Sequence, residues 1–361
     1  MQKLKLLLWG TGKIADEVLT QCRTLDLYEI VGIIDNNPNK SGTIFHNYYV
    51  FDPSKIHTVN PDKIVVLTDA YDAIKSQVKA LFPEFMDRME NKNFFYKESI
   101  LKKYRNTEDP EMKLVIDNIK KYGLEIFNYS FISKYKNISF DIYYDKNVAL
   151  YYVFHYGKKL YFSREYSSEK AVADYYKAIL LEQDEHSPHK YLDSDFTVED
   201  DAIVIDAGVA EGNFALEIVD RVSKIYLIEA DKNWIEALKI TFREYNDKVI
   251  IIEAFVSSFD EGCFFKLDTL IKDKVNFIKM DIEGNEWDGL LGAREIIARS
   301  EKLKLAICSY HSDFDQTLIE DFMDEMHIHH STTKGYIWFP LRVRQNYVST
   351  KLNRAIVRGI K

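Results

Sequence analysis

The stretch from Ala202 to Phe214, AIVIDAGVAEGNF, narrows the possible folds of this chain more than any other. Ala202, Ile203, Val204 and Ile205 run into Asp206 as a buried-type strand, and Gly208 and Gly212 bracket a tight loop. The segment LEIVDRVSK follows, with Leu216, Val219 and Val222 at helical spacing. Strand, glycine loop and helix form the opening unit of a doubly wound α/β sheet, whose ligand lies at the carboxyl ends of the strands. A dinucleotide fingerprint, G-x-G-x-x-G, has glycines where this loop has Asp206 and Glu211. Two carboxylates there would repel a pyrophosphate. They suit a ligand that lacks phosphate and carries cationic groups, such as S-adenosyl-L-methionine with its ammonium and sulfonium.

The units after the loop extend this reading. KIYLIEAD (224–231) is a second strand ending at Glu229, 23 residues beyond Asp206, where a carboxylate can accept hydrogen bonds from two ribose hydroxyls. Asp231 then caps a helix, and KVIIIEAFVSS (248–258) is a third strand, with Glu253 or the residues just after it placed to edge an adenine. The next strand ends at Asp281, with Glu283, Glu286 and Asp288 crowding the turn and helix start. Some of those acids merely complement a helix dipole, but Asp281 sits at a central strand's carboxyl end. A fifth strand, KLKLAICSYHSD (302–313), brings His311 to the same rim, as a base, a substrate contact or a solvated loop residue. The expected donor contacts are Asp206, Gly208, Glu211, Gly212, Asn213, Glu229, Ala230 and Asp281.

A second opening unit of opposite electrostatic character begins the chain. LKLLLW (4–9) runs into Gly10-Thr-Gly12-Lys13-Ile14-Ala15, a helix follows with Val18, Leu19 and Cys22 inward, and the next strand ends at Asp35. Backbone N–H groups at a helix start, with Lys13, favour phosphate. Gly10, Gly12, Lys13 and Asp35 therefore form a second candidate site, for a nucleotide or nucleotide-sugar; a docking scaffold is the bland alternative. KIVVLTD (63–69) supplies a third strand, and a helix over 70–81 stops before Pro83.

At 361 residues the chain is too long for one ordinary core and divides into 1–95 as a nucleotide-binding domain, 96–194 as a helical and β-hairpin connecting region, 195–340 as the catalytic domain and 341–361 as a basic tail. The tail has six basic residues and no acid and reads as an exposed terminal helix. In the connecting region, tyrosine-rich strands break at Asp145-Lys-Asn147 and Gly157-Lys-Lys159, as packing or as a sugar-stacking surface. Ser167 or Ser168 caps a helix, and DEHSPHKYLDSD carries His186 and His189 as a surface loop or an active-site lid. A net charge of −9 argues against nonspecific nucleic-acid binding. Cys22, Cys263 and Cys308 are scattered, which fits reduced thiols in a soluble, cytoplasmic protein with no signal peptide and no membrane helix. A homo-oligomer is compatible with the sequence.

Taken together, DAGVAEGNF, LIEAD, FIKMDIEGNEWDGLLGA and AICSYHSDFD resemble the FkbM-type methyltransferases over roughly 195–340, with DIEG-x-E the most telling element. The resemblance implies a seven-stranded methyltransferase sheet, S-adenosyl-L-methionine as donor, and usually O-methylation of sugar or polyketide hydroxyls. It also implies that Asp206, Gly208 and Glu229 hold the donor while Asp281 and Glu283 lie in the site. EAD stands where the family often has EP. The first 90 residues loosely resemble the small nucleotide-binding domain ahead of some bacterial sugar acyltransferases and sugar-modifying enzymes, which implies a UDP-sugar-like ligand. The expected acceptor is thus a small molecule or saccharide, nucleotide-linked if the first site is used. Asp281 or His311 would take the hydroxyl proton, with Glu283 orienting the acceptor. The clustered carboxylates could instead hold a divalent cation, but no dense His/Asp spacing argues for one, so no metal site is expected. The rival function is an NAD-dependent oxidoreductase, or a nucleotide-sugar-binding protein, run from the N-terminal loop.

Overall fold

The computed structural model describes residues 3–22, 25–312, 314–340, 342–343 and 347–361. Its contacts divide the chain into two units, 1–126 with 340–351, and 127–339 with 352–361. No helix among the described residues is long and apolar enough to cross a membrane.

In the first unit, β1 (Leu4–Trp9), β2 (Tyr28–Ile34), β3 (Ile44–Phe45), β4 (Tyr48–Phe51), β5 (Lys63–Val66) and β6 (Met89–Glu90) form one sheet in the order β3-β4-β2-β1-β5-β6. All neighbours run parallel except β3 with β4. Strand side chains alternate between faces, and here both faces are covered, which is why the four successive residues Leu6 to Trp9 are all apolar and buried. Leu6 and Leu8 pack with Ala15 and Val18 of the helix Lys13–Gln21 and with Phe94 and Phe95. Leu7 and Trp9 pack on the opposite side with Ile74 and Val78 of the helix Tyr71–Leu81.

The second unit opens with an antiparallel sheet of β7 (Tyr143–Asp145), β8 (Leu150–His155) and β9 (Lys158–Tyr161). The helix Glu169–Glu182 follows, with the Ser168 side chain accepting from Ala171 N. The main strands come next: β10 (Ile203–Ala207), β11 (Lys224–Glu229), β12 (Val249–Glu253), the short β13 (Phe255–Val256) and β14 (Phe264–Phe265), then β15 (Phe277–Met280), β16 (Lys304–Cys308) and β17 (His329–Thr332). After a short antiparallel pair, β18 (Arg342–Val343) and β19 (Tyr347–Val348), the chain ends in β20 (Ile356–Ile360). The seven-stranded order is β12-β11-β10-β15-β16-β20-β17, with β12 to β16 parallel and β20 antiparallel to both neighbours.

Helices cover both faces of this sheet as well. Val204 and Leu227 pack with Phe214 and Leu238 on one side, while Ile205 and Ile228 pack with Leu290, Ile296 and Phe322 on the other. The chain leaves β10 toward β11 and returns on its other side as β15. The crevice between their carboxyl ends is therefore the topological switch point, where an open α/β sheet takes its ligand.

The C-terminal residues correct one expectation. The basic end is not an exposed helix: Ile356 and Val357 are fully buried in β20, which fills the gap between β16 and β17. Apolar residues next to unpaired strand edges gain both burial and a full hydrogen-bond ladder, which a solvated helix would forgo. The basic groups lie around the strand. Arg358 pairs with Asp193, and Lys361 Nζ donates to the carbonyls of Ile297 and Ala298. Arg344, another basic residue of that tail, lies outside the described residues.

Candidate functional site

A cavity of about 520 Å³ opens at the switch point. Its floor depends on the absence of a side chain at Gly208. That residue has φ +74°, and a Cβ there would lie 1.7 Å from the carbonyl oxygen of Asp281. The loop after β10 and the end of β15 can approach this closely only with glycine.

Beneath the loop, Asp206 and Lys279 stand opposite each other in the register of β10 and β15. Both are buried, with Lys279 Nζ 3.0 Å from Asp206 Oδ1, and the lysine also donates to the carbonyl of Gly208. Burial pushes the Asp206 carboxyl up against the pull of Lys279. For Lys279, burial disfavours the charge, but Asp206 and Asp281 outweigh it and hold the ammonium well above its ordinary range. Lys279 reaches the cavity wall and Asp206 does not. Asp206, an expected donor contact, lies buried beneath the loop as partner of Lys279.

Glu229 is at the tip of β11. Its Oε2 accepts from Ala210 N at 2.8 Å, and its Oε1 accepts from Ala230 N at 2.7 Å and Asp231 N at 2.8 Å. Three backbone donors thus lock the carboxylate in the cavity wall, with about one of its four lone-pair sites still open. Glu211 is buried and accepts from Tyr175 OH at 2.8 Å, and burial pushes its carboxyl up.

Asp281 accepts from Tyr191 OH at 2.8 Å. Burial pushes its carboxyl up, but Lys279 and His311 outweigh that and hold it below its ordinary value. Glu182, the last residue of its helix, also lines the cavity; burial, with the charges of Asp281 and Glu211, pushes it up to about 8. The wall therefore carries Glu182, Glu211, Glu229, Asp281 and Glu283 against one cation, Lys279.

The remaining expected residues are distributed as follows. Gly208, Glu211, Asn213, Glu229, Ala230, Asp281 and Glu283 line the cavity. Gly212 does not; at φ +88° it starts the helix Asn213–Ile218 and packs against Leu238 and Phe242. Ala254, Phe255 and Val256 take the wall beyond β12, and Glu253 is not among the lining residues.

His311 lies behind the wall, its side chain 3% exposed. Its Nδ1 donates to Glu286 Oε1 at 2.9 Å, and its Nε2 is 3.6 Å from Asp281 Oδ1 and from Glu283 Oε2. Burial opposes the imidazolium, but Glu286, Asp281 and Glu283 outweigh it and push His311 up to about 9. It holds its proton through neutral pH.

Of the two histidines before β10, His186 is exposed. His189 is buried 3.0 Å from Tyr310 OH, and burial pushes it down to about 4. Neither lines the cavity, but Tyr191 of the same segment does. Sequence reasoning missed Tyr191, Glu182, Tyr175 and Lys279. Only Lys279 had a visible signal, as a cation inside the apolar strand FIKM.

In the first unit, Gly10, Gly12, Lys13 and Asp35 line a separate cavity of about 460 Å³ with Thr68, Asp69 and Gln77. Asp35 Oδ2 accepts from Thr11 N at 3.1 Å and lies 3.3 Å from Lys40 Nζ, while Oδ1 accepts from Asn37 N at 2.9 Å. Burial pushes Asp35 up, but Thr11, Asn37 and Lys40 outweigh it and hold the acid below its ordinary value. Lys13 is exposed at the start of its helix.

Comparison with known proteins adds the following. Residues 264–337 match the family model described as Methyltransferase FkbM domain, inside the span 195–340 of the resemblance. Residues 2–83 match the one described as C2185-like, N-terminal. No curated protein matches the chain. Among solved structures, the chain is similar to the methyltransferase FkbM from Methylobacillus flagellatus KT, at 15% identity over 99% of this chain and 90% of that one, with a TM-score of 0.48. It is also similar to precorrin-6y C5,15-methyltransferase from Geobacter metallireducens GS-15, at 11% identity over 46% and 85%, with a TM-score of 0.34. A third is SMU.1697c from Streptococcus mutans, solved in complex with SAH, at 17% identity over 45% and 90%, with a TM-score of 0.33. The family model supports a methyltransferase of FkbM type.

Proposed function

We propose that the chain is an S-adenosyl-L-methionine-dependent O-methyltransferase acting on a hydroxyl of a sugar or glycan precursor. The observation that carries this reading is the cavity's acid-rich wall: five carboxyl side chains, of which Glu182 is protonated at neutral pH, against one ammonium at the switch point of a seven-stranded sheet. A sulfonium and an α-ammonium are favoured in such a wall and a pyrophosphate is not. In this reading the Glu229 carboxylate, fixed by three N–H groups, takes the ribose hydroxyls, and Ala254 to Val256 border the adenine.

Methyl transfer is an in-line displacement, so the chain's main contribution is positioning. Asp281, ionised and held by Tyr191, takes the acceptor's proton, and Glu283 orients the hydroxyl. His311 already carries a proton at neutral pH and serves to hold Asp281 ionised.

The glycine loop and Lys13 of the first unit favour a nucleotide-linked acceptor, whose phosphates would meet the N-terminus of the helix Lys13–Gln21. An NAD-dependent oxidoreductase is not favoured, because the matched family of residues 264–337 is a methyltransferase family.

The test is calorimetric titration of the full chain with S-adenosyl-L-methionine, its demethylated product and NAD. Mass spectrometry of candidate nucleotide sugars incubated with labelled donor follows. Binding of the first two and a mass gain of one methyl group are expected. Absence of any affinity for donor or product would end the reading.

A further inference from the structure

We propose that His311 Nε2, Asp281 Oδ1 and Glu283 Oε2 form a site for one divalent cation at the carboxyl ends of β15 and β16, with Glu286 orienting the histidine. The first observation is a set of buried donor atoms left without partners. His311 Nε2 and Asp281 Oδ1 have no hydrogen-bond partner, although His311 is almost wholly buried. Such orphaned groups are expensive unless something else satisfies them.

The second observation is their spacing. His311 Nε2 is 3.6 Å from Asp281 Oδ1 and 3.6 Å from Glu283 Oε2. Two ligand atoms that each sit ~2.1 Å from one ion, at a near-tetrahedral angle, are separated by roughly 3.5 Å. One ligand atom from each of Asp281, Glu286 and His311 also lies within 4.8 Å of the others.

The third observation is the support behind the histidine. Glu286 Oε1 accepts from His311 Nδ1 and from Ile282 N at 2.9 Å each, so the ring is fixed with Nε2 facing the two carboxylates. A carboxylate on the far nitrogen of a metal-binding histidine sets its tautomer and orientation in this way. Glu283 has φ +57° and is followed by Gly284 at φ +99°. This strained turn aims the Glu283 carboxylate at His311 instead of away from it.

One imidazole and two carboxylates suit Mn²⁺ or Zn²⁺ better than a soft ion such as Cu(I). The cation takes the place that the Nε2 proton holds without it. Asp281 and Glu283 also line the donor cavity, which puts the ion's open positions on the acceptor side. This last step rests on the methyl-donor reading. A cation there would lower the pKa of an acceptor hydroxyl. With the cation bound Asp281 is a ligand instead of the base, so the proton leaves to solvent, the oxygen–carbon bond forms, and the carbon–sulfur bond breaks with its electron pair on sulfur.

The test is titration of the full chain with Mn²⁺ alone, without methyl donor, followed by electron paramagnetic resonance of the free ion. About one equivalent should bind, and Zn²⁺ should displace it. Glu286→Gln should weaken binding roughly 10- to 100-fold, and His311→Gln should abolish it. Glu283→Gln changes a largely exposed side chain, leaves the fold intact and should also weaken binding. Wild-type protein that leaves Mn²⁺ free, or a Glu283→Gln variant that binds it equally well, overturns the proposal. Mn²⁺ binding without affinity for S-adenosyl-L-methionine would refute the methyl-donor reading while the cation site stands, and the reverse result would do the opposite.

Discussion

Replacing Lys279 with methionine isolates the charge balance under the glycine loop. Methionine keeps most of the side-chain volume and removes the one ammonium that faces Asp206. Breaking a buried pair in this way costs about 3–5 kcal/mol, because a charge is left uncompensated. The cost has a ceiling set by protonation. From an ordinary carboxyl pKa near 3.9, neutralising Asp206 at pH 7.5 costs roughly 5 kcal/mol, and at pH 5.5 only roughly 2 kcal/mol. The sign follows from the folded pKa being raised: the penalty is absent below the unfolded pKa and grows as pH rises. Urea denaturation of wild type and Lys279→Met, followed by tryptophan fluorescence at pH 5.5 and 7.5, should show a gap that widens by about 2–3 kcal/mol at the higher pH. In Asp206→Asn/Lys279→Met the carboxylate that faced the lost ammonium is gone as well, and the double variant should be more stable than the single at pH 7.5. An equal loss at both pH values, or a double variant no better than the single, would refute the electrostatic account and leave only lost packing.

Four further outcomes follow from the same geometry. Gly208→Ala puts a Cβ 1.7 Å from the Asp281 carbonyl at a positive φ, and should lower stability by more than ~3 kcal/mol, read as a large drop in melting temperature. Glu229→Gln weakens the proposed charge-assisted bonds to the ribose, so calorimetry with the demethylated donor should show roughly tenfold or greater loss of affinity. Glu182 is pushed up to about 8, so its ionisation opposes folding as pH rises from the ordinary carboxylate range through that value; Glu182→Gln should match wild type near pH 4.5 and be roughly 4 kcal/mol more stable at pH 8.5, and a less stable variant at pH 8.5 would contradict this. Deleting residues 356–361 removes the strand between β16 and β17 and exposes both edges; the truncated chain should aggregate or lose cooperative unfolding.

What was legible in the sequence, and what was not, divides along contact range. Five strands of the seven-stranded sheet could be anticipated because each is a local apolar run ending in a polar tip, and such runs report burial on both faces without knowledge of partners; the count of seven comes from the family resemblance. Glu229 was legible for the same reason, since strand, acid and spacing are all local. The tail failed because its helix reading weighed charge and ignored the alternative: IVRGI sets Ile356, Val357 and Ile360, all strand formers, against the single base Arg358, and the place between β16 and β17 rewards them. Tyr191 and Glu182 reach the cavity from well upstream of the glycine loop, and no period or spacing announces such a meeting. Lys279 is the intermediate case. A lysine within FIKM is too polar for a strand buried on both faces unless a carboxylate faces it, and the register requires that partner on a neighbouring strand. The one acid within the neighbouring strand β10 is Asp206. The need of Lys279 for a carboxylate partner therefore already points to Asp206 within the strand pattern.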